Sequence, residues 1–132
     1  MTSSTPGVRV LIVDDDRESC EMMLEALRGY GASLRCAMSA DQAIDALSEF
    51  TPDLVLSDIA MPGRDGYAVL HEVRARETTF GRHVPVAAVT AYAHAEDRAR
   101  AIAAGFDEYV AKPVDPAALA FAVARLAAEN DR

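Results

Sequence analysis

The chain has 132 residues, 51% of them hydrophobic and 26% charged, with a net charge of −8. That length supports one core without disulfides or a structural metal. There is no run of about 18 apolar residues to span a membrane, no apolar stretch in the first seven residues to act as a signal peptide, and no Lys/Arg block to grip a phosphate backbone. The expected setting is the cytoplasm, with protein or cation partners, no direct nucleic-acid partner and no membrane.

Residues 1–7 read as a floppy tail and 129–132 as a second short tail, leaving one domain over 8–128. Val8 to Val13 is a β-branched run that ends in three acids. From Asp16 to Arg28, Cys20, Met23, Leu24 and Leu27 share one helical face, and Gly29 and Gly31 end that helix. Ala32 to Cys36 is a weak strand. Ser39, with Gln42 three residues on, opens a second helix as a capping box, and Ile44 and Leu47 continue its inner face. Thr51-Pro52 breaks it. Asp53 to Ser57 is a strand ending at Asp58, and Ile59 to Gly66 is loop by its Pro and Gly content. Tyr67 to Arg76 is helical with Val69, Leu70 and Val73 inward. After a second loop, Val86 to Val89 is a strand ending at Thr90. Glu96 to Ala104 is an Ala-rich helix stopped by Gly105, and Glu108 to Ala111 a short strand ending at Lys112-Pro113. Asp115-Pro116 caps and starts the last helix, which runs to about Ala128. Cys20 and Cys36, on a helix and a strand, are expected as small buried hydrophobes rather than as a disulfide. His71, His83 and His94 lack metal-ligand spacing and read as surface residues.

Five strand–helix units in strict alternation predict a parallel sheet covered by helices on both faces. Ligands of such sheets bind beyond the carboxyl ends of the strands. The first strand is followed there by Asp14, Asp15 and Asp16, the third by Asp58, the fourth by Thr90 and the fifth by Lys112. A preference of helix N-termini for Asp and Thr accounts for Asp16 and for Thr90. It accounts poorly for adjacent carboxylates, and not at all for a lysine. Three converging carboxylates, Asp14, Asp15 and Asp58, cannot all stay ionised without a counterion, and oxygen ligands of this kind suit Mg²⁺. The chain holds twelve arginines and one lysine. That one stands at a strand end, where a compact ammonium can approach a single phosphoryl oxygen more closely than a planar guanidinium.

VDDD (Val13 to Asp16), SDIAMPGRDG (Ser57 to Gly66), VTAY (Val89 to Tyr92) and YVAKPVD (Tyr109 to Asp115) together resemble the receiver domains of two-component response regulators, over essentially Val8 to Ala128. The phrasing DGYAVL, VTAYA and AAGFDEYVAKPVD is most similar to receivers of hybrid sensor kinases. The resemblance implies a doubly wound, flavodoxin-like α/β fold with a five-stranded parallel sheet. It implies that Asp58 accepts the phosphoryl group, and that Asp15, Asp14, Asp58 and the Ala60 carbonyl hold Mg²⁺. Lys112 would neutralise a phosphoryl oxygen and Thr90 would bond another. The Lys112–Pro113 peptide would be cis. Phosphate would draw Thr90 inward and Tyr109 into the vacated space. The donor would be a histidine kinase or phosphotransfer protein, the target a downstream protein, and the chain a monomer or weak homodimer rather than a turnover enzyme. Ala60 and Tyr92 stand where family members tune hydrolysis. Ala60 cannot orient a water and Tyr92 can shield the site, so slow self-dephosphorylation is expected.

Other classes fit less well. A flavin carrier or P-loop NTPase needs a phosphate loop where this chain has DDDRES. A haloacid-dehalogenase-type phosphatase needs a second Asp at Ala60. A phosphate-independent scaffold of the same fold remains the rival reading, although such scaffolds typically lack one of Asp14, Asp15, Asp58, Thr90 and Lys112.

Overall fold

A computed structural model describes residues 7–61, 63, 65–91 and 94–130, the last two of these in backbone only. The elements in chain order are β1 (Arg9–Val13), α1 (Arg17–Arg28), β2 (Ser33–Ala37), α2 (Ala40–Glu49), β3 (Leu54–Ser57), α3 (Gly66–Phe80), β4 (Val86–Thr90), α4 (Ala95–Ala104), β5 (Glu108–Ala111) and α5 (Pro116–Asn130). The strands form one parallel sheet in the order β2-β1-β3-β4-β5. This is the doubly wound α/β architecture expected from the alternation, with its switch point between β1 and β3.

Residues of β1 alternate between two cores, as the pleat requires. Val10 and Ile12 meet Cys20, Met23 and Leu27 of α1 and Leu119, Val123 and Leu126 of α5. Leu11 and Val13 meet Leu47 of α2, Val69, Leu70 and Val73 of α3 and Ala101 of α4. Both faces of β1, β3 and β4 are therefore covered, which is why these strands read as unbroken apolar runs. The edge strand β2 is only half-buried, and its sequence signal is correspondingly weak.

The predicted caps form. Asp16 Oδ2 accepts from Ser19 N–H, and Ser39 Oγ accepts from Gln42 N–H. The Gln42 side chain accepts from Met38 N–H, one residue before the cap itself. The helix α3 extends to Phe80, a turn beyond the sequence reading, and ends where Gly81 takes φ 79° in the left-handed region. Ile44 is half-buried, and Ala40, Ala43 and Ala46 carry the inner face of α2 with Leu47.

The cysteines depart from expectation. Because α1 packs over the β2 edge of the sheet, Cys20 and Cys36 face each other with their Cα atoms 6.5 Å apart and are joined as a disulfide.

Candidate functional site

The register of the sheet sets the site. Val13 pairs with Ser57, so the residues that follow them, Asp14 and Asp58, leave adjacent strands side by side. Backbone bonds hold both positions: Asp14 N–H donates to Ala37 O at 3.0 Å and Asp58 N–H to Val13 O at 2.8 Å. On the other side Thr90 pairs with Ala111, and Lys112 N–H donates to Thr90 O at 2.9 Å, which aims the lysine back across the strand ends. The Lys112–Pro113 peptide is cis.

The Lys112 ammonium donates to Asp14 Oδ2 at 2.7 Å and to Asp58 Oδ2 at 3.2 Å. The other oxygen of Asp14 accepts from Asp16 N–H at 2.9 Å, and that of Asp58 from Ala60 N–H at 3.2 Å. Asp14 is fully buried, Asp58 nearly so, and Asp15 is exposed. One carboxylate oxygen from each of Asp14, Asp15 and Asp58 lies within 4.8 Å of the others. Burial raises the Asp14 carboxyl above its ordinary range, against the hydrogen bonds from Lys112 and from the Asp16 backbone. Burial also works to lower the Lys112 ammonium, but its hydrogen bond to Asp14 and the charge of Asp58 carry it above its ordinary value. Both shifts are upward, the direction expected in a buried pocket with three carboxylates and one ammonium. The donor set is all hard oxygen and short of positive charge, so it fits a divalent cation such as Mg²⁺.

The structure thus brings Asp14, Asp15, Asp58 and Lys112 together, with Ala60 exposed beside Asp58 and Thr90 buried at the next strand end. Tyr109 is inward: it is 7% exposed, packs in the core of the α2–α3–α4 face, and its buried hydroxyl has no hydrogen-bond partner among the described residues. Burial pushes its phenol up. Tyr92 lies outside the described residues.

Sequence reasoning missed two residues that shape the loop after β3. Gly66 opens α3 directly against the phosphoacceptor candidate's backbone. A Cβ there would fall 2.2 Å from Asp58 O and 2.8 Å from Ile59 Cα. Asp65 caps the helix by accepting from Tyr67 and Ala68 N–H at 3.0 and 3.3 Å. The Asp65-Gly66 dipeptide at the loop's end is the available signal, an N-cap followed by a residue without a Cβ.

The response regulator receiver domain model matches residues 10–124, and the chain belongs to that family. An uncharacterized 14.6 kDa protein of Leptolyngbya boryana is 40% identical over 107 residues, covering 81% of this chain and 80% of that protein. The transcriptional regulatory protein ZraR of Escherichia coli is 36% identical over 109 residues, covering 83% of this chain and 24% of ZraR. The chain therefore spans about a quarter of that relative's length. Among solved structures, a CheY-like receiver domain protein of Methanospirillum hungatei superposes with TM-score 0.81 at 28% identity, covering 95% of this chain and 97% of that one. NtrX of Brucella abortus superposes with TM-score 0.85 at 26% identity, covering 95% of this chain and 28% of NtrX. Receiver domains of two-component systems take phosphate from histidine kinases, act on downstream effectors and generally bind Mg²⁺ at an acidic pocket. No helix among the described residues is long and apolar enough to cross a membrane.

Proposed function

We propose that residues 8–128 act as a phosphoacceptor unit in which Asp58 receives a phosphoryl group from a histidine kinase, a phosphotransfer protein or a small phosphodonor. The carrying observation is the convergence of Asp14, Asp15, Asp58 and Lys112 within hydrogen-bonding or ligand-sharing distance at one end of the sheet. An Asp58 oxygen attacks phosphorus in line, the bond from phosphorus to the donor breaks, and an acyl phosphate remains. The Lys112 ammonium moves its hydrogen bond from the Asp58 carboxylate to a phosphoryl oxygen and stabilises the charge that develops there. Thr90, at the neighbouring strand end, bonds a second oxygen. Asp14, Asp15, Asp58 and the Ala60 carbonyl would hold Mg²⁺, which would supply charge neutralisation for the transferring group.

In this reading Thr90 and Tyr109 couple the site to the surface of α4, β5 and α5, which a downstream protein reads. Ala60 and Tyr92 favour a long-lived acyl phosphate. The test is intact mass after incubation with acetyl phosphate and Mg²⁺. The expected result is a hydroxylamine-labile phosphoryl adduct on the wild type and none on Asp58→Asn. Absence of an adduct with acetyl phosphate and with a panel of histidine kinases alike overturns the reading in favour of a scaffold.

A further inference from the structure

The two cysteines bracket the backbone of the one fully buried acid in the site. With Cys20 in the disulfide, its Sγ lies 3.4 Å from the carbonyl oxygen of Asp14, within reach of a donated bond once the sulfur is a thiol. Cys36 immediately precedes Ala37, whose carbonyl accepts the Asp14 N–H. One end of the pair thus touches the carbonyl of Asp14, and the other lies one residue from the partner of its amide. Cys20 is 3% exposed, while Cys36 is half-buried on the sheet's edge strand, where a small oxidant has access.

We propose that Cys20 and Cys36 form a reversible redox site that regulates the Asp14 end of the phosphoacceptor pocket. Only as a thiol can Cys20 donate to the Asp14 carbonyl; a disulfide sulfur carries no proton. Oxidation therefore withdraws a hydrogen bond from a residue that offers a carboxylate to the cation, and it ties the first half of α1 to β2. The chemistry balances with a peroxide as oxidant. The Cys36 thiolate attacks one peroxide oxygen, the O–O bond breaks, and a sulfenic acid and water form. Cys20 sulfur then attacks the Cys36 sulfur, the S–O bond breaks, and a second water leaves. Two thiols are oxidised, and one hydrogen peroxide is reduced to two waters. A dithiol reductant reverses the step by exchange. Where glutathione keeps most thiols reduced, the disulfides that do form are usually transient and sensing.

The inference rests on the phosphoacceptor reading for its functional consequence, but its structural core is testable apart from it. Wild type and Cys36→Ser, each reduced or treated with hydrogen peroxide, are compared by intact mass with alkylation under denaturing conditions, by amide hydrogen exchange and by Mg²⁺ titration calorimetry. In peroxide-treated wild type, we expect loss of two hydrogens with no alkylation, faster exchange at Asp14 and Asp16, and roughly three- to tenfold weaker Mg²⁺ binding, the range one lost hydrogen bond allows. Dithiothreitol restores the reduced values. Cys36→Ser, which keeps the Cys20 donor, matches reduced wild type with or without peroxide. Two alkylatable thiols after peroxide, or a disulfide that leaves Asp14 and Asp16 exchange unchanged, overturns the proposal. Exchange that follows redox state in a protein that binds no Mg²⁺ in either form would count against the phosphoacceptor reading instead.

Discussion

Two charge clusters stand at different places in this fold, and they are built on opposite principles. Beneath the α3–β4 loop, Arg74 donates to Glu77 and Asp107, each at 2.8 Å, and to the carbonyls of Val84 and Gly105, each at 2.7 Å. The same two carboxylates accept from the backbone N–H groups of Val84 and Val86, and His83 bridges them with both ring nitrogens at 2.9 Å. The two acids face Arg74, His83 and two backbone N–H groups, and the remaining Arg74 bonds go to two backbone carbonyls, so every member of the cluster has partners within it. At the carboxyl ends of the strands, three acids gather with one ammonium, which bonds Asp14 and Asp58, and Asp14 is held above its ordinary pKa. The first cluster ties loops to a helix; the second has a deficit of positive charge that a bound cation would relieve. Charge balance separates the structural network from the chemical one more clearly than residue type does.

The largest effect that sharpens this contrast is expected at Lys112. Lys112→Ala lowers the rate of phosphoryl uptake from acetyl phosphate by about 100-fold, the scale of losing one preorganised charge donor, read by the time course of adduct mass. An unchanged rate would place Lys112 with the structural network. Gly66→Ala forces α3 away from the Asp58 backbone and costs about 3 kcal/mol in urea unfolding, since the clash is with main chain, which yields little. Arg74→Ala removes the cation shared by two carboxylates and the donor of two carbonyls and costs about 2 kcal/mol, yet it leaves the uptake rate of the folded protein unchanged. A drop in that rate would show the two clusters to be coupled.

Smaller and pH-dependent is the effect of the cation on melting. The raised Asp14 carboxyl favours its neutral form in the folded state, so raising the pH through its folded range removes stability. The raised Lys112 adds stability that persists until the pH climbs through its own elevated value. Under the proposed function Mg²⁺ would bind the ionised carboxylates, so at tenfold its dissociation constant it is expected to raise Tm near neutral pH by roughly 5 °C, a gain that fades as Asp14 protonates in acid. A gain that grew in acid would contradict the assignment. His83→Gln, at an exposed site, changes stability by only about 0.5 kcal/mol.

Most of the architecture was legible because β1, β3 and β4 are apolar on both faces and α1, α2 and α5 carry local start signals at Asp16, Ser39 and Asp115. The acids and Lys112 were legible for the same reason: a strand that ends abruptly in charge announces the edge of the core. What escaped depended on distance through space. Nothing local in Gly66 reveals a carbonyl from eight residues earlier pressing on its Cα. Cys20 and Cys36, 16 residues apart, face each other only because α1 crosses the edge of the sheet. The alternation placed Tyr109 in β5, but only side-chain packing shows its hydroxyl enclosed. The Arg74 cluster was missed because its members come from α3, the following loop and the turn before β5.

The strand order has a kinetic corollary. Asp14 and Asp58 are fixed by β1–β3 pairing, which closes within the first 57 residues, whereas Lys112 and Thr90 come with β4 and β5. During folding, the two acids can therefore be set side by side before the ammonium that separates their charges has arrived. On that order, Mg²⁺ present from the start of refolding is expected to quicken assembly of the sheet's centre, read by stopped-flow; a rate indifferent to Mg²⁺ would show that the acids meet only after Lys112 is in place.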